Sequence, residues 1–124
     1  MAEAVLRAHY PDKTVQSAGI DALAGEPAHP TAIALMRERG LDLDGHRGRQ
    51  LDERLLRGSD LVLVMERGHQ KWIEAQWPHA KGRVFRWGHW SDFDVPDPYR
   101  RGEKEFREAL ALIDKGLEDW KERL

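Results

Sequence analysis

Apolar side chains recur at three- and four-residue intervals through Phe106, Ala109, Leu110, Ile113, Leu117, Trp120 and Leu124, with charged residues between them, which predicts a long amphipathic final helix. Residues 60–65 carry a different pattern. After Asp60, the run Leu61-Val62-Leu63-Val64-Met65 is apolar without alternation, so it reads as an interior parallel strand buried on both faces. Residues 82–87 read as a further strand. Between the two, residues 68–77 form a helical pattern with Trp72, Ile73 and Trp77 on one side and Pro78 as its stop. Residues 1–10 favour helix through Ala2, Ala4, Val5 and Leu6 with no capping residue ahead of them, and Pro11-Asp12 breaks that helix. A short strand is expected over residues 14–19, closing at Gly19. Pro30 opens a helix carrying Ile33, Leu35 and Met36, and Gly40 is placed to end it. Asp44-Gly45 turns the chain, Asp52 caps a short helix through Leu55 and Leu56, and Gly58 stops it. Strands alternating with helices make the fold class α/β with a parallel sheet.

The length of 124 residues fits one domain covering 1–124. Apolar residues at 40% and charged residues at 34% describe a chain able to bury a core rather than a disordered one. The net charge of −2 predicts no polyanion partner. Arg37, Arg39, Arg47, Arg49, Arg54 and Arg57 are interleaved with Glu38, Asp42, Asp44, Asp52 and Glu53, a mixed solvated surface rather than a nucleic-acid stripe. No stretch nears the roughly 20 apolar residues of a membrane span, and no basic segment followed by an apolar run opens the chain, so no membrane association and a cytoplasmic location are expected. There is no cysteine. That removes disulfides, thiolate catalysis and cysteine zinc sites, and the scattered histidines form no ligand pair, so neither metal nor cofactor is expected.

Four strings carry more specific information: Met1-Ala2-Glu3-Ala4-Val5-Leu6-Arg7, Ser17-Ala18-Gly19, Gly45-His46-Arg47-Gly48-Arg49-Gln50 and Pro96-Asp97-Pro98-Tyr99-Arg100. In order and spacing they resemble the low-molecular-weight protein-tyrosine phosphatases over the whole chain. Met65-Glu66-Arg67-Gly68-His69, Gly88-His89-Trp90 and the Asp-Pro-Tyr-Arg ending are most similar to the bacterial branch that acts with tyrosine kinases of capsule and exopolysaccharide export. The resemblance implies a three-layer, flavodoxin-like parallel sheet with helices on both faces. It also implies a first, central strand and a Cys-x5-Arg-Ser-Pro phosphate loop, after whose proline Met1-Ala2-Glu3-Ala4 would follow, so the chain is expected to be truncated at its amino end. By the same resemblance Asp97 is the general acid and base, Tyr99 lines the phosphotyrosine slot, and His46 and Arg49 brace the phosphate loop. Leu23 and Trp90 are implied as pocket walls.

The residue types alone are less specific. Asp-Pro is an ordinary turn former. A histidine beside a turn is commonly solvated, and Trp72, Trp77, Trp87 and Trp120 sit in patterned elements that assign them to the core or its rim. Two functional readings follow. In the first, the chain belongs to a phosphatase acting on phosphotyrosine protein through a cysteinyl-phosphate, and is inert as given because nucleophile and phosphate loop are absent. In the second, it is a non-catalytic binding module that competes for or regulates a bacterial tyrosine kinase. Arsenate reduction needs redox cysteines and is excluded. Absence of a central strand would expose sheet edges, which could be repaired by direct pairing of residues 14–18 with residues 61–65, by local disorder of the first helix and strand, or, as the favoured expectation, by pairing between two chains to give a homodimer.

Overall fold

The computed structural model describes all residues, Met1–Leu124, with elements in the order α1 (Ala2–His9), α2 (Pro30–Glu38), α3 (Glu53–Arg57), β1 (Val62–Val64), α4 (Arg67–Gln76), a 3-10 helix (Pro78–Ala80), β2 (Val84–Arg86) and α5 (Glu103–Trp120). Two compact units arise: one from Met1–Leu51 with Pro98–Leu110, the other from Asp52–Asp97 with Ala111–Leu124.

In the first unit, α1 buries Val5. The Arg7 guanidinium donates to the Val15 carbonyl at 2.9 and 2.7 Å, drawing the chain after the Pro11-Asp12 break back beside the helix. Residues 14–19 do not form the expected strand. Thr14, Gln16, Ser17 and Ala18 are exposed, and only Gly19 makes a bridge, parallel to Gln50. A strand exists through its ladder, and here the Val15 carbonyl is taken by a side chain instead. The helix α2 begins at Pro30, as predicted, and its amino end is capped by the His29 imidazole, whose Nδ1 accepts from the Thr31 N–H at 3.1 Å. Ala32, Leu35 and Met36 face the core, and Gly40, at φ 74°, lets the Leu41 N–H return to the Met36 carbonyl. Leu43, Phe106, Ala109 and Leu110 complete the apolar interior of this unit.

In the second unit, β1, α4 and β2 form a strand–helix–strand crossover with parallel register Val62↔Val84, Leu63↔Phe85 and Val64↔Arg86. Asp52 caps α3 by accepting from the Leu55 N–H at 2.9 Å. The parallel pairing agrees with the sequence reading, but burial of β1 is incomplete. Val64 is buried while Leu61, Val62 and Leu63 are half-buried, because β1 has β2 as its one strand partner and its other edge lacks a neighbour. Trp87 follows β2 into the centre. It is 1% exposed, its Nε1 donates to the Ile113 carbonyl at 2.9 Å, and its own carbonyl accepts from Trp120 Nε1 at 2.8 Å. Ile113, Leu117 and Trp120 supply the predicted apolar stripe of α5. On α4, Ile73 takes the buried position and Trp72 lies at the rim, edge-on to Trp77 with ring centroids 5.7 Å apart.

Candidate functional site

Within the first unit, two loops are laced together by the backbone. The Gly19 N–H donates to the Arg49 carbonyl and the Leu51 N–H to the Gly19 carbonyl, at 2.8 Å each; the Gly25 N–H reaches the Gly48 carbonyl at 2.9 Å, and the Gly48 N–H reaches the Glu26 carbonyl at 2.8 Å. Gln50 adds a side-chain latch, its amide donating to the Ile20 carbonyl at 2.6 Å and accepting from the Ala22 N–H at 3.0 Å. Leu23 sits on the laced segment with 58% of its surface exposed. Arg49 contributes its backbone to the lacing while its side chain is exposed. His46 Nδ1 lies 3.3 Å from a carboxylate oxygen of Glu3, which also pairs with Arg7 at 3.5 Å. The histidine thus ties the Asp44-Gly45 turn to the first turn of α1.

Tyr99 is exposed. Its ring meets the His29 ring edge-on with centroids 6.3 Å apart, and the Arg100 guanidinium lies 5.5 Å from its centroid. His29 also packs against Phe106 at 4.7 Å, so one histidine caps α2 and supports the tyrosine. Arg100 adopts a left-handed φ of 66°, and the Arg101 N–H donates to the Pro98 carbonyl, which makes this a tight turn.

Within the second unit, residues 88–97 leave β2 as a short hairpin closed by the antiparallel bridge Gly88↔Phe93. Trp90 is 44% exposed, flanked edge-on by His89 at 4.7 Å and Trp120 at 5.5 Å, with the Arg123 guanidinium over its ring at 3.8 Å. Arg86, the one buried charged residue, donates to Asp94 at 2.9 Å and to Asp92, while the Arg67 side chain donates to Asp92 at 3.1 Å. Val95 is buried, its N–H bonded to the Met65 carbonyl at 2.8 Å, and the exposed Asp97 follows two residues later.

The Arg86 hydrogen bond, then the charges of Arg86 and Arg67, hold the Asp92 carboxyl below the usual aspartate range, with His89 adding a smaller pull in the same direction. A carboxyl lowered in the folded state stabilises above its unfolded value and loses that contribution as pH falls through the lowered one. The hairpin is therefore expected to stay ordered through the ordinary aspartate range and to loosen only at more acidic pH. Amide NMR of Phe93 across an acid titration checks this, and loosening already near neutral pH would contradict it.

Sequence reasoning did not single out His29, Gln50, Arg86 or Arg123. The signal for Arg86 was a charge inside the apolar stretch Val84-Phe85-Arg86-Trp87, with aspartates six and eight residues on. Chemically, Asp97 offers an exposed carboxyl, Leu23, Trp90 and Tyr99 offer exposed apolar surface, and no thiol is present. No group of three or more histidine, aspartate or glutamate side chains is arranged to hold a metal ion, and no helix is long and apolar enough to cross a membrane.

The family model described as low molecular weight phosphotyrosine protein phosphatase matches residues 1–124. The probable low molecular weight protein-tyrosine-phosphatase EpsP of Ralstonia solanacearum is 43% identical over 124 residues, covering 100% of this chain and 86% of that protein. The low molecular weight protein-tyrosine-phosphatase Wzb of Escherichia coli is 38% identical over 124 residues, covering 99% and 84%. Among solved structures, Vibrio vulnificus Wzb in complex with benzylphosphonate superimposes with a TM-score of 0.92 at 38% identity, covering 99% of this chain and 88% of that one.

Proposed function

Because the chain belongs to the low molecular weight phosphotyrosine protein phosphatase family, we propose that its residues serve the acid side of phosphotyrosine hydrolysis, and that residues 1–124 by themselves perform no turnover. The observation that carries this reading is a family match along the whole chain combined with the absence of any cysteine. In the reaction, a thiolate attacks phosphorus, the phosphorus–oxygen bond to the tyrosine breaks, and the departing oxygen takes a proton from Asp97. Asp97, now a carboxylate, then takes a proton from the water that attacks the cysteinyl-phosphate, the sulfur–phosphorus bond breaks, and phosphate and the thiolate are released. Without a thiol the first bond cannot form. Tyr99, Trp90 and Leu23 are read as substrate-contacting residues and His46 and Arg49 as support for a phosphate loop, each supported by its motif and, for the first three, by exposure that core packing does not explain.

The substrate class is a phosphotyrosine protein, and the partner read from the Met65 to His69 and Gly88 to Trp90 strings is a cytoplasmic tyrosine kinase of bacterial polysaccharide export. The exposure of Leu23 and Tyr99 at 58% and 46% in the first unit also favours a second reading, a non-catalytic module that holds a phosphotyrosyl tail without cleaving it. The unpartnered edge of β1 supports pairing between two copies, for which light scattering at high concentration should give dimer and a monomer would count against it. Phosphate release from a phosphotyrosyl peptide, measured beside binding of that peptide, separates the functional readings. Neither release nor binding agrees with the first, binding without release with the second, and release would overturn both.

A further inference from the structure

We propose that Arg86 is a positioning residue, a buried clamp at the end of β2 that fixes residues 92–95 and thereby the segment delivering Trp90 and Asp97. The proposal deepens, and rests on, the reading of Asp97 as the acid. A guanidinium at 8% exposure is costly unless its donors are satisfied, and an apolar side chain would fill the end of a strand at lower cost. Arg86 is satisfied from one direction, by Asp94 at 2.9 Å and by Asp92. Those carboxylates keep 43% and 75% of their side-chain surface, so water could serve them; it is the arginine that ties them down.

Four further hydrogen bonds converge on the same four residues. The Arg67 backbone N–H, in the first turn of α4, donates to Asp94 at 3.2 Å, and its side chain donates to Asp92 at 3.1 Å. The Phe93 N–H closes on the Gly88 carbonyl at 3.1 Å, an approach so close that a Cβ on Gly88 would overlap the Phe93 carbonyl. The Val95 N–H reaches Met65 at 2.8 Å. Asp92 itself sits at φ 53°, a left-handed conformation that a non-glycine residue keeps only when its surroundings hold it. Arg86 spans the base of this hairpin, and its planar fork can hold two carboxylates where a lysine ammonium would act as a point charge.

The test is amide hydrogen exchange and carboxyl-carbon NMR on the purified chain. Arg86→Leu is expected to raise exchange at Phe93 and Val95 by about 10-fold or more while amides of β2 and α5 change by less than about twofold, and to shift the Asp97 carboxyl resonance. Arg86→Lys should restore part of the protection. If Arg86→Leu does not fold, the double variant Asp92→Asn, Asp94→Asn removes the clamp from its exposed side and should give the same local pattern. Unchanged exchange at Phe93 and Val95, a uniform rise across the core, or an unmoved Asp97 resonance would overturn the proposal. None of these readouts depends on whether Asp97 is the acid, which the activity of an Asp97 variant decides separately.

Discussion

Joined behind a strand and a Cys-x5-Arg-Ser-Pro loop, residues 1–124 are expected to hydrolyse phenyl phosphate, and Asp97→Asn to lower that rate by about 10²–10⁴-fold. The magnitude is that of a positioned general acid, because the thiolate, the anion-binding amides and the arginine would all come from the added segment and stay intact. The leaving group provides an internal control. Nitrophenolate departs readily without a proton, so the same substitution should cost less with p-nitrophenyl phosphate than with phenyl phosphate. Asparagine keeps the size of the side chain and removes the proton, so a loss of acid catalysis appears in kcat rather than KM. An Asp97→Asn variant that kept its rate on phenyl phosphate would remove Asp97 from the mechanism. Tyr99→Ala, by contrast, should raise KM more than it lowers kcat if the tyrosine serves to hold the substrate ring.

Trp87→Ala is expected to destabilise the second unit by about 3–5 kcal/mol, a large share of the roughly 5–15 kcal/mol that holds a domain folded. Trp87 is among the largest fully buried side chains and lies against α5 at Gly116, where a Cβ would overlap the indole. The substitution opens a cavity and removes the donor to the Ile113 carbonyl. Gly116→Ala tests the same contact from the other side. Alanine gains about 1 kcal/mol of helix propensity over glycine, while overpacking against the indole costs about 1–3 kcal/mol, so the net effect should be neutral to destabilising. Urea unfolding measures both. A Trp87→Ala midpoint close to the parent, or a clearly stabilised Gly116→Ala, would contradict this account of the core.

What could be read from the sequence follows from the range over which each structural cause acts. The stripe on α5, the crossover from β1 through α4 to β2, Asp52 as a cap and Gly40 as a stop all depend on spacing within one or two turns, and all are present. The strand expected over residues 14–19 required a neighbour as well as β-propensity, and its backbone finds Arg7 and a lone bridge instead. The half-burial of β1 has the same origin, since an apolar run reports how much burial a strand can use and says nothing of how many partners it has. The supports of the candidate site lay beyond local patterns. Gln50 bonds to a residue thirty positions away, Arg67 to residues 25 and 27 away, and a histidine as the cap of α2 has no distinctive local signature. The assignments of Asp97, Tyr99, His46, Arg49, Leu23 and Trp90 rest on resemblance alone, because Asp-Pro or Gly-His-Arg carries little chemical meaning in isolation.

The clamp at Arg86 and the latch at Gln50 share a physical logic. Each is a side chain that hydrogen-bonds into a loop, Gln50 to backbone groups and Arg86 to carboxylates, and each holds a segment that carries an exposed large apolar side chain. Exposed aromatic and leucine side chains on braced loops are what a binding surface requires, since flexible loops would pay ordering entropy on every encounter.

The central claim is that this chain carries the family's acid and aromatic residues without a nucleophile, and intact-mass spectrometry tests it most directly. The purified chain is incubated with a phosphotyrosyl peptide, quenched in acid and weighed, while released phosphate is measured in the same sample. The account predicts an unmodified mass and phosphate at the level of the buffer control. A chain carrying one added phosphoryl group that disappears as phosphate is released would contradict it.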